Sequence, residues 1–171
     1  MAKKTPKALI YIILIGIAII VIAIATSIIA GGIDENNRRA PFIKPEGKLV
    51  VESNNTYDSK VVAYLEADRK GDYCAARTLG HDDAWIYTLA WCTQTHKDEG
   101  YISAYELQGR LGYTAADDKV TSSRFVGEGN IPPVKDLFPY DIYTSSQNEI
   151  QKDIFKTLDA AARSREASLK R

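Results

Sequence analysis

Residues 82–96 read DDAWIYTLAWCTQTH. Trp85, Leu89, Cys92 and His96 recur at helical spacing, and Asp82 or Asp83 can accept the free N–H groups of a first turn, so the stretch predicts a helix ending near His96. The residues before it extend the pattern. Tyr57, Val61, Tyr64 and Leu65 predict a helix from Asp58 that stops at Gly71, after which Asp72 can cap a second short helix that runs through Leu79 to Gly80. Cys74 and Cys92, the only two cysteines, then lie on the second and third of these helices. An even count in a domain facing an oxidising compartment reads as one disulfide, which would clamp the two helices together.

Downstream, Tyr101, Tyr105 and Gln108 again favour a helix, limited in length by Gly109 and Gly112. Val120, Phe125 and Val126 suggest one or two short strands. The loop that follows carries Pro132, Pro133, Leu137 and Phe138, and either packs on the domain or meets a partner. Ser146 with Glu149 fits a capping box, so a helix is expected over 146–171, with Ile150, Ile154, Leu158, Ala161 and Ala162 on its apolar face. Upstream, Leu49, Val50 and Val51 suggest a short strand.

Residues 8–30 form an uncharged apolar run preceded by Lys3, Lys4 and Lys7. At ~1.5 Å rise per residue such a run spans roughly 34 Å as a helix, enough to cross a bilayer core. Its rival is a cleaved secretory signal ending near Ala23-Ile24-Ala25, against which stands a length beyond the ~7 to 15 residues of a signal core. The lysines before the run favour a cytoplasmic amino terminus, residues 1–7, and an extracytoplasmic domain in the periplasm or its equivalent. Gly16, Ala23, Ser27 and Ala30 share one face of the run and would let another helix approach closely. Residues 31–48, with Gly31, Gly32, Pro41, Pro45 and Gly47 among charges, suit an extended linker.

The fold expected is therefore a single N-terminal transmembrane helix plus a mainly α exported domain with one disulfide, α+β being the alternative. The domain occupies 49–145, and the amphipathic helix over 146–171 closes it.

Charge excludes one class of partner. Of 22 basic residues three precede the apolar run, which leaves 19 against 22 acidic residues in the rest of the chain. That balance gives no electrostatic footprint for nucleic acid. No catalytic, cofactor-binding or metal-binding residue stands out. His81, Asp82 and Asp83 with His96 are the one metal-like grouping, and on a single helix the two histidines would be roughly 22 Å apart. Phosphate-loop, nucleophile-elbow and zinc-protease patterns are absent. An enzyme reading reduces to a hydrolase whose carboxylates the sequence does not single out. Tyr101, Tyr105 and Tyr113, together with Pro132, Pro133 and Phe138, are the candidate partner contacts, because aromatic residues anchor interfaces.

One resemblance covers a fifth of the chain or less. Residues 61–67, VVAYLEA, followed by Lys70-Gly71-Asp72-Tyr73 and Ala75-Ala76, resemble the opening helices of small NTF2-like domains and also one hairpin of a tetratricopeptide repeat. The expected function is a non-catalytic, membrane-anchored accessory or scaffolding subunit of a larger membrane or envelope complex. Its partners would be other membrane-protein subunits and the lipid bilayer. The alternative is a membrane-tethered binding module, NTF2-like or helical, for a peptide, lipid or small ligand.

Overall fold

Cys74 and Cys92 face each other across two neighbouring antiparallel strands, and around that pair the domain is a sheet. A computed structural model describes Ile17, Ile20, Val21, Gly32, Asp34, Glu35 and residues 37–51, 56–96, 101–126 and 133–169. The chain divides into two compact units, Met1–Ala40 and Pro41–Arg171. In the first, Ile17, Ile20 and Val21 are helical and exposed. Arg38 pairs with Asp34 at 2.7 Å and Arg39 with Glu35 at 3.0 Å, each one helical turn apart.

The second unit runs β1 (Val50–Val51), α1 (Asp58–Asp68), β2 (Asp72–His81), β3 (Trp85–His96), β4 (Tyr101–Thr114) and β5 (Lys119–Phe125). A short 3-10 turn (Val134–Asp136) then leads to α2 (Tyr140–Gln151) and α3 (Ile154–Leu169). The five strands form one antiparallel sheet in chain order.

This overturns the mainly α expectation. The segments expected to form the second and third helices are β2 and β3, and the segment around Tyr101 and Tyr105 is β4. The physical reason is that both faces of the sheet are covered. Val61, Val62 and Leu65 of α1 pack with Cys74, Ala76, Ile86, Ala90, Cys92, Leu107, Leu111 and Phe125 on one face. On the other, Leu137, Phe138, Ile142, Leu158 and Ala162 pack with Ala75, Leu79, Tyr87 and Leu89. Along β3 the even residues Ile86, Ala90 and Cys92 thus serve one core and the odd residues Tyr87 and Leu89 the other. A strand buried on both sides reads as a continuous apolar run, without the alternation that marks a half-buried strand. The helical stripe of Trp85, Leu89, Cys92 and His96 is therefore split between opposite faces, because side-chain direction alternates along a strand.

The resemblance over residues 61–76 ends for the same reason. Residues 61–67 lie in α1, but the chain turns at Gly71 and enters β2 rather than a second helix. The disulfide is present, between strands rather than helices, with its Cα atoms 4.1 Å apart.

The capping-box expectation is also corrected. Helix α2 begins at Tyr140 behind Pro139, six residues before Ser146, whose hydroxyl is buried and donates to the Tyr143 carbonyl at 2.7 Å. Proline suits this position because a helix start leaves its missing N–H without consequence. The two C-terminal helices are separated at Lys152 and Asp153, the latter at φ 56°, so the expected single helix is two. Leu158 and Ala162 are buried as expected, whereas Ala161 faces solvent.

The single-pass membrane location is corrected as well: among the described residues no helix is long and apolar enough to cross a membrane. A span needs about 20 consecutive apolar residues, and α3, at 16 residues, carries Lys156, Arg163 and Arg165. Of residues 8–30, all but Ile17, Ile20 and Val21 lie outside the described residues, as do Gly16, Ala23, Ser27 and Ala30. Within the second unit, Phe42 packs its ring against Tyr140 and Tyr143, and the Ile43 N–H donates to the Lys135 carbonyl at 3.2 Å.

Candidate binding face

The turn between β2 and β3 is organised by Asp82, which is 3% exposed. One carboxylate oxygen accepts the N–H groups of Ala84 at 3.0 Å and Trp85 at 2.8 Å. The other accepts the Glu46 N–H at 2.8 Å and the Tyr87 hydroxyl at 2.6 Å. A buried carboxylate is tolerated only when its lone pairs are used in this way. Burial, reinforced by the bond to Asp82, pushes the Tyr87 phenol far above its ordinary value. The consequence is positional: Trp85 is fixed at the start of β3, and its indole N–H donates to Glu46 Oε1 at 3.0 Å.

On the face that carries Trp85, β4 and β5 present a different surface from β2 and β3. Helix α3 covers the latter pair, where the Trp91 indole N–H donates to Asp159 Oδ1 at 2.9 Å and the ring meets Phe155. Farther across, Glu106, Ser122 and Arg124 are exposed, while Gln108 and Arg110 are half-buried. Arg110 stands opposite Tyr87 on one side and opposite Arg124 on the other. Its guanidinium carbon lies 4.1 Å from the centroid of the Trp85 ring, and that of Arg124 lies 5.7 Å away. Both cations are thus attracted to the π-face of one indole.

Among the described residues neither guanidinium has a carboxylate partner, and the Arg110 Nε atom is buried without a hydrogen-bond acceptor. Burial lowers the Arg110 value below the ordinary arginine range, and the neighbouring charge of Arg124 acts in the same direction.

The opposite face holds Tyr105 and Tyr113, two of the aromatic residues expected to meet a partner. Tyr105 gives its hydroxyl to Asp72, accepts from Arg69 at 3.5 Å, and is pushed up to about 12, by burial first and by Asp72 second. Tyr113 bonds Asp118, which also pairs with Lys60, and its ring meets Tyr57 edge-on. Tyr101 is half-exposed at the far end of β4 and stacks on His96 at 4.4 Å. Tyr105 and Tyr113 therefore lie beside α1, whereas Tyr101 stands apart at the β3–β4 tip. Phe138 is wholly buried against Tyr87. Pro133 precedes the 3-10 turn and is exposed, and Pro132 lies outside the described residues.

His81 and His96 are not brought together. His81 pairs with Ile86, ten residues along β3 from His96, which at about 3.3 Å per residue separates them by roughly 33 Å. Among the described residues no three His, Cys, Asp or Glu side chains are grouped to hold a metal ion.

Comparison with protein-family models, with curated proteins and with solved structures gives no match. Arg110 and Arg124 were not among the residues singled out from the sequence. A signal for them exists in period two: Tyr105, Leu107, Leu111 and Tyr113 alternate with Glu106, Gln108 and Arg110. That is the signature of a strand with one wet face, and it places Arg110 on the side away from the tyrosines.

Proposed function

We propose that this chain is a non-catalytic binding domain, an accessory subunit that holds a partner against the β4–β5 half of its sheet. The observation that carries the reading is Trp85 with Arg110 and Arg124 on a face that α3 leaves open. Tryptophan and arginine are the residue types that most often dominate binding energy at interfaces. Three carboxylates, Asp72 and Asp82 buried and Asp58 half-buried, are held by the fold, which favours a structural over an acid–base role. Asp82 serves the β2–β3 turn and Tyr87, Asp58 accepts the N–H and hydroxyl of Thr78, and Asp72 is bonded by Tyr105.

The test compares the full chain with its Arg124→Glu and Trp85→Ala variants, each recovered from its source cells with whatever co-migrates at a defined size. A partner held by the parent chain and lost from both variants, at unchanged circular dichroism in each and unchanged melting temperature in Arg124→Glu, is the expected result. Equal recovery with all three chains would remove this face from the function.

A further inference from the structure

We infer that Arg110 and Arg124 form a binding site for a doubly charged oxyanion, a phosphate or dicarboxylate group, with Trp85 as its floor. This rests on the binding face proposed above and names the chemistry that the face recognises.

Three independent observations converge on it. The first is register: Arg110 and Arg124 are direct cross-strand neighbours whose side chains share one face. Like charges in that position repel and destabilise a sheet, so the pair carries a cost that an anion between the guanidiniums would offset. The second is hydrogen bonding. Arginine offers five donors in a planar fork suited to carboxylate or phosphate oxygens. Here Arg110 Nε is closed off from solvent with no acceptor, so the outer Nη groups are the donors that would meet an anion.

The third is the disposition of the surrounding charges. The carboxylates that act on Arg110 are Glu46 and Asp82, and both are already engaged: Glu46 by the Trp85 indole N–H, Asp82 by Tyr87 and three backbone N–H groups. Neither forms an ion pair with Arg110 or Arg124. Trp85 meanwhile draws both guanidiniums to its ring, which holds the donors in place before a ligand arrives. The Arg110 guanidinium lies beside the carboxylates of Glu46 and Asp82, so an anion would be held by direct charge-assisted bonds from the arginine donors rather than by net charge.

The experiment titrates the full chain at low ionic strength with inorganic phosphate in one arm and succinate in the other. It follows the arginine Nε–H and tryptophan indole resonances by NMR. Saturable shifts of Arg110 Nε–H and of the Trp85 indole are expected in at least one arm, and the arm that saturates at lower concentration identifies the source. Arg124→Gln, an exposed position where loss of fold is not at issue, should weaken that binding about tenfold or more, as loss of a charge-assisted bond implies. Arg110→Lys keeps the charge but not the fork and should weaken it as well. Lys152→Gln removes one positive charge from the junction between α2 and α3 and should leave it unchanged.

Linear, non-saturating shifts in both arms, or equal weakening by Lys152→Gln and Arg124→Gln, would overturn the site. If that happens while a cellular partner is still lost from the Trp85→Ala variant, the anion chemistry fails and the binding face stands. If the anion saturates and no partner depends on Trp85 or Arg124, the face fails as a subunit contact and the anion site stands.

Discussion

Glu66 and Arg165 are ninety-nine residues apart and meet in a bidentate pair, Nε to Oε1 at 2.6 Å and Nη2 to Oε2 at 2.8 Å. Their helices, α1 and α3, belong to cores on opposite faces of the sheet, so the pair closes around the outer edge of β2. Glu66 Oε1 also accepts the Cys74 N–H at 3.1 Å, and eight residues earlier on α1 Asp58 accepts the Thr78 N–H at 2.7 Å. Among the described residues, strand β1 covers β2 only at Gly80 and His81. Two carboxylates thus occupy outward N–H groups that would otherwise offer a template for another strand.

Burial pushes the Glu66 carboxyl up, but the bonds from Arg165 and Cys74 outweigh it and hold the group below its ordinary value. With the folded value below the unfolded one, its contribution is complete above roughly pH 4.3 and is lost as pH falls through the depressed folded value. Glu66→Gln should therefore reduce stability at pH 7 and flatten the acid limb of the stability profile. Urea melts at pH 7 and pH 3 check this. An unchanged difference between the two pH values would remove the clasp from the acid response.

The disulfide lies in the α1-side core, with Cys74 1% and Cys92 0% exposed. Reduction under native conditions should be slow, because the sulfurs are reached only when the sheet opens. Cys92→Ser is expected to cost on the order of 3 kcal/mol by the loop-entropy argument. Equilibrium unfolding with and without reductant measures it, and rapid thiol labelling of the folded, reductant-treated chain would contradict the burial argument.

At Gly109 β4 leaves no room for a side chain beside β5: a Cβ placed there would lie 2.1 Å from the Arg124 carbonyl oxygen and 2.6 Å from the Phe125 ring. Phe125 fills the space that the glycine leaves, and the ring cannot retreat because it is wholly buried. Gly109→Ala should destabilise by about 1–3 kcal/mol, as overpacking does. It should also raise hydrogen exchange along β5 before the rest of the sheet. Uniform exchange across all strands would show that β5 is not the element displaced.

Removing the Asp82 carboxylate leaves the Tyr87 hydroxyl and three backbone N–H groups without their acceptor. At about 1–3 kcal/mol for each buried donor left unsatisfied, Asp82→Ala should cost at least ~3 kcal/mol and release Trp85. Asp82→Asn, which keeps one acceptor oxygen, should cost less. Thermal melts followed by tryptophan fluorescence give both numbers, and equal losses in the two variants would assign the effect to volume rather than to hydrogen bonding.

Some of this architecture was legible in one dimension. Two cysteines allow one pairing, and they pair. The helix from Asp58, the short strand at Val50 and the strand containing Val120 and Phe125 each follow from local signals, because each element keeps one face toward solvent or ends at a turn residue. The Leu158 and Ala162 stripe survives for the same reason, although the helix start was misplaced: Ser146 has the chemistry of a cap but is buried inside α2.

What only the tertiary structure decided is the identity of β2 and β3 and the meeting of Trp85, Arg110 and Arg124; β4, with one wet face, keeps a period-two signal in its sequence. Local sequence specifies a strand by alternation, and helices packed on both faces of β2 and β3 remove the polar half of that signal. The candidate site depends on register. Arg110 and Arg124 lie fourteen residues apart, and they share a face with Trp85 because β3, β4 and β5 pair as they do. A shift of one residue would turn a strand's side chains to the opposite face. That register follows from the cores filling on both sides of the sheet, a cooperative property that no single segment contains.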